Sequence, residues 1–153
     1  RFFFNMQSPG SSMDFDLDLA VEQSSQNPVY YVQYAHARIC SILRKLAESG
    51  VTPRKVTEEE LLRLSTPEEI ALIRRLSQLP GEIVAVTERY DPSILTHYVT
   101  DLANLFHKFY TACRVNIPED EPLMQARICL CLCVRTALAN TLRLLGIQAP
   151  ESM

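Results

Sequence analysis

Apolar residues recur with a helical period along most of the chain. Val32, Ala35, Ile39, Ile42, Leu43 and Leu46 fall on one arc of a 3.6-residue helix, with Tyr31, Tyr34, Arg38 and Lys45 along its edge. Asn27 as N-cap and Pro28 in the first helical position start this helix. It runs to about Glu48, where Gly50 stops it and Pro53 forbids continuation. A short helical turn is expected around 57–64. Thr66, Pro67 and Glu69 then form a capping box with proline in its preferred place, opening a helix through Ile70, Leu72, Ile73 and Leu76. Pro80 and Gly81 are expected to break it, and a separate helix through Ile83, Val84 and Val86 ends near Tyr90. Asp91 caps the next helix, where Ile94, Leu95, Tyr98, Val99, Leu102, Leu105, Phe106 and Phe109 keep the helical period throughout.

The acidic run 119–121 and Pro122 open a last long helix that ends before Gly146. Its leucines leave little of the circumference polar, which places it in the middle of the structure. No segment alternates as a strand would. Helices joined by short loops make an all-α, antiparallel helix bundle. Residues 1–22 differ in character: an aromatic run at 2–4, a loop through Pro9 and Gly10, then an acidic and apolar stretch at 14–22. These read as a helix end, a turn and a short helix with few partners of their own, and 23–27 read as a polar loop.

Composition adds limits. A chain of 153 residues, 47% of them hydrophobic and 22% charged, can bury one sizeable core. The net charge is −3, so no general basic field attracts polyanions and any RNA contact must rest on a local patch. The start, RFFFNMQS, has neither the basic region nor the apolar run of a signal peptide, and it lacks an initiator methionine, as a piece of a longer chain would. The longest apolar tract, near 128–134, is interrupted by Arg127 and Arg135 and is too short to span a bilayer, so no membrane partner is expected. Cys129, Cys131 and Cys133 alternate at a spacing of two, which on a helix puts successive thiols about 200° apart. They cannot converge on one metal ion, and no CxxC or HxxxH stands nearby to complete a site. Free, mostly buried thiols in a reducing cytosol are expected.

Signatures of catalysis are missing. There is no glycine-rich phosphate loop, no HIGH-type or KMSKS-like ATP signature, no G-x-S-x-G and no H-E-x-x-H. His36, His97 and His107 lie on helices without an evident nucleophile to activate, and are expected to be interfacial or hydrogen-bonded. Two helices do place a tyrosine and a cation at a core margin. Tyr31 and Arg38 are seven residues apart, hence on nearly one heading and about 10 Å apart along the axis. Tyr110 and Arg114 are four apart, which makes them neighbours, with His107 close by. A ring that stacks on a base beside a planar cation suits an unpaired loop of RNA. The same geometry also suits core helices whose tyrosines bury their rings and wet their hydroxyls.

Three blocks carry a family resemblance: YVQYAHAR at 31–38, ILTHYVTDLANLFHKFYTACRV at 94–115, and the ending ARICLCLCVRTALANTLRLLGIQAPESM from Ala126. Together they resemble the C-terminal, DALR-type anticodon-binding domain of arginyl-tRNA synthetases, and the resemblance runs essentially from end to end. It implies a helix bundle of the class I synthetase anticodon-binding type over 23–153, with 1–22 as a remnant of the end of the catalytic domain. Its implied function is recognition of the anticodon stem-loop of arginine tRNA, in support of the ATP-dependent attachment of arginine by the cytoplasmic parent enzyme. By the same resemblance Tyr31 and Arg38 face the anticodon loop, Tyr110 lies on the same face, and Met153 lies beside the anticodon. If Met153 packs there, its free carboxylate should tolerate no phosphate nearby and must face a cation, for which Arg38 and Arg114 are the candidates. Tyr34 shares the stripe. Arg114 stands where some relatives carry an aromatic residue and so suits a phosphate contact, and Ser152 stands where the family usually has arginine. No cofactor is implied for this stretch, ATP and Mg2+ belonging to the parent's catalytic domain, and DNA is not an implied partner. The open alternatives are a helical interaction module, such as a paralogue that has lost tRNA binding, and the anticodon domain of a related synthetase.

Overall fold

The computed structural model describes residues 1–12, 14–24 and 26–153. Met13 of the N-terminal stretch and Ser25 of the expected loop 23–27 lie outside them. Among the described residues all regular structure is helical: α1 (Phe2–Asn5), α2 (Leu17–Val21), α3 (Pro28–Glu48), α4 (Glu58–Leu61), α5 (Pro67–Arg89), α6 (Ser93–Ala112) and α7 (Glu121–Leu144).

Local signals set most of these boundaries. Asn27 Oδ1 accepts from the N–H groups of Val29 and Tyr30, while its Nδ2 donates to the Glu22 carbonyl at 2.9 Å, tying the preceding segment to the start of α3. Thr57 with Glu60, and Thr66 with Glu69, form complete capping boxes. Gly50 (φ +79°) and Gly146 (φ +69°) close α3 and α7 in the left-handed region. Beyond each, the next residue folds back: Val51 N–H donates to Leu46 O and Ile147 N–H to Leu142 O, both at 2.9 Å.

Two boundaries differ from expectation. Pro80 and Gly81 do not break the helix: α5 is continuous across them. Leu72 is fully buried, and Leu76 and Leu79 before the proline and Val86 after it all pack against the same core. Arg75 bridges the proline by pairing with Glu82 at 2.9 Å, and Pro80 itself faces solvent. Packing on both sides outweighs one missing hydrogen bond. Asp91 lies one residue outside the cap of α6, yet its Oδ1 still accepts from Ser93 N–H at 3.0 Å and so performs the capping function.

The core lies between α3, α6 and α7, with α5 laid along α6. Tyr98, Phe106, Phe109, Ile39, Leu138 and Leu142 are fully buried in it. α7 touches α3, α4, α5 and α6, as expected of a central helix. Although the apolar tract near 128–134 reads as too short, by length and composition a stretch of this helix is sufficient to cross a membrane, but 56% of that stretch is buried inside the bundle. All five cysteines are free. Cys40, Cys113 and Cys131 are buried and Cys129 is half-buried, as expected of mostly buried thiols, while Cys133 is exposed.

The N-terminal stretch is better partnered than its sequence suggests. Phe2 joins the core, Thr96 Oγ1 donates to the Asn5 carbonyl at 3.2 Å, and Arg1 reaches the Gly146 carbonyl at 3.4 Å. Phe4 and Phe15 stack on each other with ring centroids 5.1 Å apart, while Phe4, Leu17 and Val21 remain exposed.

Candidate nucleic-acid interface

With α3 capped by Asn27 and starting at Pro28, Tyr31, Tyr34 and Arg38 follow one another along the edge of its buried arc. The end of α6 lies against that edge and contributes His107 and Tyr110. The result is one continuous strip of rings and cation. The His107 ring lies 4.6 Å from Tyr31 and 5.8 Å from Tyr34, centroid to centroid. The Arg38 guanidinium lies 4.7 Å over the Tyr34 ring and 5.0 Å over the Tyr110 ring, and it also donates to the Tyr34 hydroxyl. Tyr110 in turn stacks on the buried Phe106 at 6.1 Å. The buried edge of the strip is therefore part of the core, and its outer edge is open: Tyr110 is 39% exposed.

His107 is the member that sequence reading undervalued. Among the described residues its buried Nε2 has no hydrogen-bond partner, and burial, together with the nearby charge of Arg38, lowers its pKa below the ordinary imidazole value. The ring lies between Tyr31 and Tyr34. Its position three residues before Tyr110 on the same helix margin is the signal that marks it.

A second wall comes from the chain after α7. Ile147 folds back at Gly146, and the following residues run along α3 in the same direction as that helix. Gln33 donates to the Gln148 carbonyl at 2.8 Å, His36 Nδ1 lies 2.8 Å from the Pro150 carbonyl, and Arg44 reaches the Glu151 carbonyl at 3.4 Å. This brings Met153, half exposed, into a cleft of about 350 Å³ with Tyr34, Arg38, Lys45 and Tyr110. Four of the expected residues thus meet there. Tyr31 lies at the far end of the strip beside His107, and burial raises its phenol pKa.

Arg114 is placed differently from expectation. α6 ends at Ala112, and Cys113 is extended (φ −117°, ψ 117°). From there burial alternates: Cys113 and Val115 are buried and Arg114 and Asn116 exposed, so the helical neighbour relation to Tyr110 is lost. The Arg114 side chain pairs with Glu119 at 3.2 Å across exposed surface. It still lines a second cleft of about 550 Å³ with Lys45 and Tyr110, so Tyr110 stands as a ridge between the two clefts. Neither Arg38 nor Arg114 forms an ion pair with the Met153 carboxylate: Arg38 is held between rings and Arg114 by Glu119.

Arg38, Arg44, Lys45 and Arg114 form a local cationic patch on a chain whose net charge is −3. Rings for stacking, a cation held between them, and further cations at the margin can grip an unstacked, phosphate-linked strand.

The family model described as "DALR anticodon binding domain" matches residues 32–153. The chain is 52% identical to the arginine–tRNA ligase of Ruminiclostridium cellulolyticum and 50% identical to that of Caldanaerobacter subterraneus subsp. tengcongensis, in both cases over all of this chain and 27% of the relative. The chain thus spans about a quarter of the length of these curated relatives. Among solved structures, the arginyl-tRNA synthetase of Thermus thermophilus superposes with a TM-score of 0.80 at 32% identity, over 99% of this chain and 25% of that one. The enzyme from Plasmodium falciparum superposes with a TM-score of 0.81 at 25% identity, over 99% and 26%.

Proposed function

The chain belongs to the DALR anticodon-binding domain family, and from that premise we propose that it is the anticodon-recognition domain of an arginine–tRNA ligase. Its ligand is the anticodon stem-loop of arginine tRNA, and its parent is a cytoplasmic enzyme that attaches arginine to that tRNA at the expense of ATP, with Mg2+. The observation that carries this reading is the unbroken strip from Tyr31 through His107, Tyr34 and Arg38 to Tyr110, open on one edge and bordered by cations. Loop bases stack on Tyr31, Tyr34 and Tyr110, and phosphates meet Arg38, Lys45 and Arg114. Met153 supplies a polarizable apolar contact beside them.

On this reading ATP and Mg2+ belong to the catalytic domain of the parent chain. Residues 1–22 are the end of that domain and 23–153 the anticodon-binding domain. The exposed Phe4, Leu17 and Val21 support this division, as does a family match that begins only at residue 32. Binding energy gathered at the anticodon serves the distant reaction by orienting the acceptor end.

The test uses the 153-residue chain with synthetic stem-loops. It should bind the arginine anticodon stem-loop more tightly than loops with other anticodons, with affinity falling as salt rises, and it should form no arginyl-adenylate from ATP. Weak, salt-independent retention would instead indicate an interaction module that has lost tRNA binding, and ATP-dependent charging would overturn the non-catalytic assignment. The tail gives a second prediction. Removing Ser152 and Met153 leaves the anchoring carbonyls of Gln148, Pro150 and Glu151 in place. The melting temperature should hardly change, while tRNA affinity should drop roughly fivefold, about 1 kcal/mol. Equal affinity of truncated and intact forms would remove Met153 from the site.

A further inference from the structure

Directly beneath the interface lies a buried ion pair that recognition by rings and surface cations does not use. Glu69, on α5, is fully buried, and Arg127, on α7, is 8% exposed. Arg127 Nε donates to Glu69 Oε1 at 2.7 Å, and its Nη1 donates at 2.7 Å to the main-chain carbonyl of Arg114. The other Glu69 oxygen accepts from Thr66 N–H at 2.9 Å, and the Thr66 hydroxyl lies 3.4 Å from Cys113 Sγ. Residues 113 and 114 are therefore held from below by the start of α5 and by Arg127, at the point where the chain leaves α6 and becomes extended. The stretch so held is one wall of the second cleft, facing Tyr110 and Lys45.

Stability alone gives no reason for a buried guanidinium here. The capping box at Thr66 needs an acceptor at Glu69 but no arginine, and a buried ion pair is often no better for stability than apolar residues of the same volume. What only a forked cation supplies is a charge-assisted bond to Glu69 together with a second one, at fixed angle, to a carbonyl on the wall of the site. We propose that Arg127 is a positioning residue of the RNA interface, setting the path of residues 113–116 through the Arg114 carbonyl so that the Arg114 and Asn116 side chains face the cleft beside Tyr110. This rests on the proposed RNA-binding role of that cleft.

The experiment compares four variants of the full chain that carries this domain, each assayed for arginine tRNA affinity well below its melting temperature. Arg127→Met leaves Glu69 unpaired and should lower both stability and affinity. The double variant Glu69→Gln with Arg127→Met keeps a capping acceptor and removes both charges, so the melting temperature should recover. Affinity should stay about tenfold below that of the unchanged chain, because the Arg114 carbonyl is still unheld. Leu95→Ala, in the core roughly 27 Å along α6 from Cys113, should lower stability with no loss of affinity. Amide hydrogen exchange at residues 114–116 should quicken in the double variant and not in Leu95→Ala. Affinity that recovers together with stability in the double variant would overturn the proposal, leaving Arg127 a purely structural residue. Tyr110→Ala separates the two failures. If it weakens binding while the Arg127 variants bind normally, only the positioning role falls. If it binds as tightly as the unchanged chain, the interface falls, and the positioning role with it.

Discussion

Glu69→Ala is expected to destabilise the fold by about 3–5 kcal/mol, because it strands the Arg127 guanidinium inside the bundle without its carboxylate. The substitution also opens the capping box of α5, leaving Thr66 N–H without the Glu69 oxygen it now meets at 2.9 Å. Urea denaturation should show a lower midpoint with an unchanged slope. A loss below about 1 kcal/mol would mean that water replaces the carboxylate and that the pair is not a buried one in effect. The same pair predicts the response to acid. Burial pushes the Glu69 carboxyl upward, but the Thr66 N–H and the Arg127 guanidinium outweigh it and hold the pKa below the ordinary carboxylate value of 4.5. A group with a depressed folded-state pKa contributes stability that is fully present above its unfolded value. That contribution is lost as pH falls through the folded value. The unchanged chain should therefore lose stability below about pH 4.5, and Glu69→Gln should show a shallower loss in that window.

Tyr110→Ala and Tyr31→Ala are each expected to weaken tRNA binding by about 1–3 kcal/mol with the fold intact. Tyr110 is the ridge between two clefts, 39% exposed, with one face stacked on the buried Phe106. Truncating it removes stacking surface at little structural cost. Arg38→Ala should weaken binding as well, by loosening both tyrosines that now flank the guanidinium, and it should flatten the salt dependence if a phosphate is its partner. Arg38→Lys should not restore full affinity, since an ammonium lacks the flat face that lies over both rings. Affinity and salt slope measured by filter binding or anisotropy over a salt series would separate these effects. Unchanged binding in Tyr31→Ala, Tyr110→Ala and Arg38→Ala would mean that the strip is only the margin of a core.

Much of this architecture is written in short-range chemistry. Asn27 with Pro28, Thr66 with Pro67 and Glu69, Asp120 ahead of Pro122, and the glycines at 50 and 146 each mark a boundary that the fold realises. The misses share one cause, which is that distant residues decide them. Pro80 reads locally as a break, but whether a helix survives a proline depends on what both flanks pack against, and here Leu79 and Val86 reach the same core. Arg114 reads as one turn beyond Tyr110, but Cys113 and Val115 are drawn inward on alternate residues and the helix ends before it. Glu69 is recognisable as a capping residue and Arg127 as an interruption of an apolar tract. That each explains the other is visible only when α5 and α7 are side by side. For the candidate site, Tyr31, Tyr34, Arg38, Tyr110 and Met153 follow from spacing and resemblance. The insertion of the His107 ring between two tyrosines of another helix does not.

The way the chain end is fastened also bears on how the domain can change over generations. Gln33, His36 and Arg44 all meet carbonyl oxygens of Gln148, Pro150 and Glu151, groups that every amino acid carries. Mutational drift in the side chains from 151 onward, such as serine at 152, alters what the cleft displays without loosening the strap that displays it. Drift at 33, 36 or 44 removes one of the strap's side-chain ties, leaving Ile147 and Ala149 packed on the core. A lineage can therefore retune what the cleft displays one residue at a time, while the constraint falls on the helix behind it.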